Sequence, residues 1–394
     1  MDTKHLRMPL TEAPSYFASC PRGLEPLLAA ELGRLGAGSV SPTAGGVAFA
    51  ADVRTLYRAN LESRLATRIL RRLDTQSYRN EQDIYQIARN VAWHRWFKVS
   101  QSIRVDITAV RSPLKSIDFA TLRIKDAVCD RFRDETGDRP NVDTRTPEVR
   151  IQAFLTRDSM TLYLDTSGEP LYKRGYRAQS VEAPLKENLA AGILLLTDWR
   201  PDEVLLDPMC GGGTLLAEAA MMGLNIAPGL GRDFGLQRLA DFDAVVWTSV
   251  RDAALAARTL DKKLSIHGSD LHYREVEYAK ENLRAAGLSD VVQIKQASAT
   301  DLRAPSGEGV MVTNPPYGER IGEKDDLVAL YPKLGDWMKQ HFAGWRCYYF
   351  TGDPDLPKGI RLKASKRTPL FNGAIECRLF EYKIIAGSNR PEKS

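Results

Sequence analysis

At 394 residues the chain is too long for one ordinary core and suits two or three domains, while 43% hydrophobic and 27% charged residues are ordinary for a globular protein. Mean hydropathy is −0.32, and no apolar run reaches the length of a membrane span; five scattered cysteines (Cys20, Cys129, Cys210, Cys347, Cys377) without a Cys-x-x-Cys pair exclude a disulfide framework or zinc cluster. The net charge of +5 is uneven, with 28 Lys and Arg against 21 Asp and Glu in residues 1–180 but 27 against 29 in residues 181–394.

Arginine greatly outnumbers lysine in the first part, and its planar fork suits phosphate contacts and stacking on bases. The charge split therefore fits an N-terminal region that handles a polyanion, although a solvated surface would look the same. Residues 1–19 carry charges and Pro14 but no continuous apolar stretch, so no secretory leader is expected. The five histidines show no ligand spacing, so no metal is expected, and the cysteine usage points to a reducing cytoplasm.

In chain order, Tyr16-Phe17-Ala18 predicts a short strand. Arg22-Gly23-Leu24-Glu25-Pro26 leads into a helix through Leu27, Leu28 and Leu32 that stops at Gly33 or Gly36. Gly45-Gly46 turns into a strand over 47–49, and a helix carries Leu56, Tyr57, Leu61 and Leu65. From Ile69 the pattern predicts a strand, a helix containing Trp93, Trp96 and Phe97 as its core stripe, and an alternating strand over 103–110. A helix over 121–132 precedes two alternating strands, Val149–Leu155 and 160–164, joined by a turn at Arg157-Asp158-Ser159.

A boundary is expected near Ser167-Gly168-Glu169-Pro170. After it, strands alternate with helices, the pattern of a parallel doubly wound sheet. Strands are expected over 204–206, 266–270, 291–294, 309–313, 346–351 and 375–385, with helices over 214–222 and 276–286. Residues 387–394 read as a solvated tail.

The segment Leu205-Leu206-Asp207-Pro208-Met209-Cys210-Gly211-Gly212-Gly213-Thr214 runs an apolar strand into a glycine loop and then a helix. Such a loop lets a ligand approach the backbone, and the helix start offers unpaired N–H groups. It contains no lysine, which excludes a P-loop, and the third position of a dinucleotide fingerprint is Leu216 rather than glycine. Asp207 at the strand end disfavours an anion and favours a cationic amine, which suits S-adenosylmethionine; a tight turn without ligand is the plain alternative. Asp270, ending the next strand, is placed as an acceptor for ribose hydroxyls, or else merely caps a helix. The intervening stretch, 223–264, is longer than a strand–helix–strand unit needs.

Asn314-Pro315-Pro316-Tyr317 follows the strand at 310–313. Prolines supply no N–H and leave carbonyls unpaired. An exocyclic amine on an sp² ring gains reactivity when the Asn314 amide oxygen and the Pro315 carbonyl accept its hydrogens, while Tyr317 stacks on the extruded base. The alternative is a plain turn. Cys210 reads as a small buried residue rather than a nucleophile, and Lys173, Arg174 and Arg177, beside the boundary, are candidate phosphate contacts.

These motifs make the chain similar to THUMP-domain RNA methyltransferases, in the branch that methylates guanine N2 of large-subunit ribosomal RNA. The likeness includes Arg22-Gly23-Leu24-Glu25, Arg139-Pro140-Asn141-Val142-Asp143, Leu171 to Arg177, Ala183 to Asn188, Asp207 to Thr214, Ala227-Pro228-Gly229-Leu230, Gly268-Ser269-Asp270 and Asn314 to Arg320. It also accounts for the long 223–264 insertion. The resemblance implies an α/β protein: an N-terminal α+β RNA-binding region over 1–168, ferredoxin-like plus a THUMP domain near 45–156, then a Rossmann-like class I methyltransferase domain over 169–386.

By the same resemblance, Asp207, Pro208, Cys210, Gly211 and Gly213 would hold the methionine part of S-adenosylmethionine and Asp270 its ribose. Ser298 and Ala299 would line the adenine turn, and Asn314, Pro315 and Tyr317 would serve at the reacting end, Asn314 beside both cofactor and base. The partner would be 23S rRNA or its precursor particle. Ser298 departs from the family's usual aspartate, with Asp301 three residues on. Some relatives carry a further domain for 7-methylguanosine, an activity not expected of a sequence stopping at Ser394. A transfer-RNA guanine methyltransferase, a DNA adenine-N6 methyltransferase and a noncatalytic assembly factor are the rival readings.

Overall fold

Alternating apolar residues and well-capped helices build the first half of the chain. In the computed structural model, which describes residues 15–177, 185–315 and 323–385 (backbone alone for 323–327), the elements here are β1 (Ser15–Ser19), α1 (Glu25–Arg34), β2 (Gly38–Thr43), β3 (Gly46–Ala50), α2 (Val53–Glu62), β4 (Arg68–Ser77), α3 (Glu81–Asn90), β5 (Ile103–Ala109), α4 (Ile117–Thr136), β6 (Val149–Leu155) and β7 (Ser159–Asp165). They share one seven-stranded sheet in the order β2-β3-β1-β4-β7-β6-β5. The long strand β4 joins its two parts, pairing with β1 through Arg68 to Arg71 and with β7 along most of its length. Asp52, Asn80 and Ser116 cap α2, α3 and α4 by accepting backbone N–H bonds, and Gly137, at φ 78°, ends α4.

One strand is not expected from the sequence and one expectation fails, both for local reasons. β2 is not legible because its six residues, GSVSPT, are nearly all exposed and show no alternation. Trp93, Trp96 and Phe97 do not share a helix: α3 ends at Asn90 and Trp93–Arg95 form a separate 3-10 turn. Their packing is core packing nonetheless, since Trp93 and Phe97 are buried beside Phe132. Trp96, half-buried, lies 5.0 Å beneath the Arg71 guanidinium.

The second half contains α5 (Glu187–Leu196), β8 (Leu205–Asp207), α6 (Thr214–Gly223), α7 (Ala244–Ala256), β9 (Ile266–Asp270), α8 (Tyr273–Ala285), β10 (Val292–Gln296), β11 (Gly309–Thr313), α9 (Glu323–His341), β12 (Trp345–Thr351), α10 (Leu356–Gly359), β13 (Lys366–Asn372) and β14 (Ile375–Lys383). Their sheet runs β10-β9-β8-β11-β12-β14-β13, parallel through β12 and then antiparallel. Strand order reverses between β8 and β11, and such a reversal opens a crevice at the carboxyl ends of the strands. The fold is the Rossmann-like arrangement expected.

The two sheets are not strung apart. One hydrophobic core runs from Tyr16, Leu24 and Leu56 into Leu189, Leu216 and Val310. A Cβ at Gly192 of α5 would come within 2.4 Å of the Leu24 side chain, so glycine there permits the close approach. The 223–264 insertion supplies α7, which packs on α2, and Asp241, which pairs with Arg71.

Candidate active site

The crevice is built from strand ends. β8 delivers Asp207, and the chain then turns through Gly211 (φ 50°) and Gly213 (φ 78°) into α6, whose N-cap is Gly213. Both glycines occupy the left-handed region that side chains rarely adopt. A Cβ on Gly213 would meet Ala279 Cβ of α8 at 3.1 Å, whereas one on Gly211 would project into open space. The loop is braced from outside: the Asn282 side-chain amide, on α8, donates to the Gly212 carbonyl at 3.0 Å. Cys210 N donates to the Ser269 carbonyl at 2.9 Å.

Asp207 is 1% exposed, and the Met209 N–H donates to its Oδ1 at 3.2 Å. Burial, reinforced by Asp270, pushes its carboxyl up to about 7, although the Thr313 hydroxyl and the Met209 amide pull the other way. The Cys210 thiol is raised well above its ordinary value by burial and by the neighbouring Asp207 and Asp270 charges. A nucleophile needs the opposite environment, so Cys210 serves the loop as a small buried residue.

Asp270 ends β9 one strand away. Its Oδ2 accepts from Gly211 N and its Oδ1 from His272 N, each at 3.0 Å. The plain reading of a helix cap fails, since the N-cap of α8 is His272 and no side chain caps that helix; Asp270 instead ties the glycine loop to the turn that precedes α8. Each oxygen keeps acceptor capacity for a further hydroxyl. Ala297 N donates to the Asp270 backbone carbonyl at 3.0 Å, which brings Ser298 and buried Ala299 beside this strand end. The Ser298 hydroxyl lies 3.1 Å from that of Thr300, and Asp301 is exposed.

Asn314 and Pro315 follow β11 directly, between β8 and β12 in the sheet. Asn314 is half-buried and Pro315 buried. Tyr317, the third catalytic candidate, lies outside the described residues, as does the 387–394 tail. The donor set fits the cofactor expected from the sequence: two carboxylates for an ammonium and for ribose hydroxyls, a glycine loop with space at Gly211, and the start of a helix. Among the described residues no group of His, Cys, Asp or Glu could hold a metal ion.

The basic trio near the boundary divides. Arg174 is a correction: it is 4% exposed, pairs with fully buried Glu218 at 3.2 Å, and donates to the carbonyls of Leu171 and Arg64. Desolvation of this kind requires internal partners, so the residue ties the two halves together instead of meeting phosphate. Arg177 turns inward too, bonding Glu187, the Leu185 carbonyl and the Thr214 hydroxyl at the start of α6. Lys173 is exposed and pairs with Glu169. Sequence reasoning missed Asn282 and Glu218; their signal was a polar residue on the buried face of an otherwise apolar helix stripe.

Family models match three stretches: an RlmL ferredoxin-like domain over residues 15–70, a THUMP domain over 78–165, and an RMKL-like methyltransferase domain over 174–381. Among curated proteins, the ribosomal RNA large subunit methyltransferase K/L of Syntrophotalea carbinolica is 42% identical over 381 residues, covering 94% of this chain and 53% of the relative. That of Photobacterium profundum is 39% identical over 384 residues, covering 96% and 54%. The chain thus spans about half the length of these relatives. Among solved structures, the protein SMU.472 complexed with SAH superposes with a TM-score of 0.86 at 32% identity, covering 95% of this chain and 99% of that one. A predicted N6-adenine-specific DNA methylase from Listeria monocytogenes gives 0.86 at 29% identity, covering 97% and 99%.

Proposed function

Because the chain belongs to the RMKL-like methyltransferase family and carries THUMP and ferredoxin-like modules ahead of that domain, we propose that it methylates the exocyclic N2 amine of a guanine in 23S ribosomal RNA, using S-adenosylmethionine, in the cytoplasm. In this reading residues 1–168 engage RNA, the THUMP domain taking the matched stretch 78–165 and not the 45–156 expected from the sequence, and residues 169–386 carry out methyl transfer. The observation that carries the reading is the convergence of Asp207, Asp270 and Asn314 at the carboxyl ends of β8, β9 and β11, where the strand order reverses.

Asp207 would take the cofactor's ammonium, Asp270 its ribose hydroxyls, Pro208, Cys210, Gly211 and Gly213 its methionine part, and Ser298 and Ala299 the adenine edge. Bound there, the cofactor supplies an electrophilic methyl group on a sulfonium. The Asn314 amide oxygen and the Pro315 carbonyl accept the hydrogens of the target amine and hold its lone pair toward the reaction; the proton leaves afterwards, so no carboxylate base is needed. Tyr317 would stack on the extruded base. Extrusion costs a few kcal/mol, which favours a precursor particle with the target exposed.

The match to a THUMP domain favours RNA over the DNA adenine reading, which the same Asn-Pro-Pro-Tyr chemistry would also serve. Incubating the full chain with labelled methyl donor and either deproteinised 23S rRNA or duplex DNA, then analysing nucleosides, tests the proposal. N2-methylguanosine from RNA is expected; N6-methyladenine from DNA alone would replace this reading with the rival.

A further inference from the structure

With Arg174 and Arg177 turned inward, only Lys173 of that trio stays exposed, and other exposed cations lie elsewhere. At the far end of the first sheet three turns are drawn together by Tyr78. Its buried side chain places the hydroxyl 2.6 Å from the Thr156 carbonyl, to which it donates, and 2.8 Å from the Ser112 hydroxyl. Tyr78 N donates to the Asp158 carbonyl at 3.2 Å, and Val110 N to the Leu155 carbonyl at 2.8 Å. Arg79, Arg111 and Arg157 are immediate chain neighbours of these bonded groups, and Lys115 follows three residues after Ser112.

All four cations are exposed, and none makes an ion pair among the described residues. Asp158, the carboxylate in the same turn, instead accepts from the Thr156 hydroxyl. Asp158 and Asp83, whose carboxylate accepts the Arg79 backbone N–H at 2.8 Å, offset only part of the positive charge, and a polyanion would neutralise the remainder. Arg111 sits in the left-handed region at φ 57°, a conformation held by the bonds on either side of it.

An exposed aromatic residue stands on β6, three residues before Arg157. Val149, Ile151, Ala153 and Leu155 of β6 face the core, so strand alternation turns Phe154 to the opposite face, where it is 37% exposed. Its cross-strand neighbours are Thr108 and Thr161. A part-exposed ring three residues from Arg157 can take an unpaired base while the cations take flanking phosphates.

We infer that this rim (Arg79, Arg111, Lys115 and Arg157 around Tyr78, with Phe154 beside them) is where the protein grips a single-stranded or looped segment of its RNA. The inference rests on the RNA reading above and adds the surface. The test uses the full chain and a labelled single-stranded oligoribonucleotide, followed by fluorescence anisotropy across a salt series. The triple variant Arg111→Glu, Lys115→Glu, Arg157→Glu should bind at least tenfold more weakly, with a salt slope flatter by roughly 0.7 for each phosphate no longer neutralised. Phe154→Ala should lose about tenfold with the slope unchanged, as expected for stacking. S-adenosylmethionine affinity, measured alongside, should stay at the wild-type value in both variants and so reports that they fold. Wild-type RNA affinity and slope in the triple variant would overturn the rim alone. Absence of RNA binding by the unaltered chain would overturn the rim and the RNA reading together.

Discussion

The Asp270 carboxylate reaches across from β9 to accept the Gly211 N–H at 3.0 Å, so the strand-end acid and the glycine loop form one unit. Asp270→Ala removes an acceptor for the ligand and also leaves the Gly211 and His272 amides without partners. Calorimetry should show S-adenosylmethionine affinity falling at least tenfold, with a smaller loss for Asp270→Asn, which keeps one acceptor oxygen. Unchanged affinity in both variants would move the cofactor elsewhere.

Asp207 makes affinity and stability depend on pH in opposite directions. Its folded carboxyl titrates at about 7, above the ordinary 3.8, so the folded state binds more protons between those values than the unfolded state does. Stability therefore falls as pH rises from about 4 through 7, by at most on the order of 4 kcal/mol. Affinity for a cationic amine behaves inversely and weakens below pH 7 as the carboxyl protonates. Asp207→Asn should melt higher than wild type at pH 8 while binding the cofactor poorly, and should lose the pH dependence of both.

Arg174 and Glu218 form a buried pair with side chains 2% and 0% exposed. Arg174→Ala strands the Glu218 charge and should cost about 3–5 kcal/mol in denaturant unfolding. The double change Arg174→Met, Glu218→Leu should recover most of that loss. If Arg174→Ala instead left stability intact and weakened RNA binding, the phosphate role expected from the sequence would be restored.

Asn314→Ala should leave folding and cofactor affinity nearly intact while lowering turnover by roughly 10²–10³, the usual cost of losing one positioned hydrogen-bonding group. Tyr317→Ala should forfeit about 1–3 kcal/mol of base stacking, and Tyr317→Phe should be mild. Single-turnover rates at saturating cofactor separate these effects.

What could be read from sequence followed from signals that are local. The loop from Asp207 to Thr214 and the strand end at Asp270 carry their chemistry within a few residues, and β8 and β11 appear as short apolar runs next to them. β2 gave no signal because an exposed edge strand needs no alternation. The roles of Arg174, Asn282 and Tyr78 were hidden for a different reason. Each depends on a partner far along the chain (Glu218, Gly212 and Thr156), and the spacing of charges alone cannot distinguish a buried pair from a solvated one. The Trp93 stripe was misplaced because a 3-10 turn after α3 continues the apolar pattern with a different period.

The most direct test of the central claim is mass spectrometry of nucleosides from large-subunit rRNA of a strain lacking this gene. Loss of N2-methylguanosine at one position, restored by the wild-type chain and not by Asn314→Ala, is the predicted result. An unchanged N2-methylguanosine content in the deletion strain would contradict it.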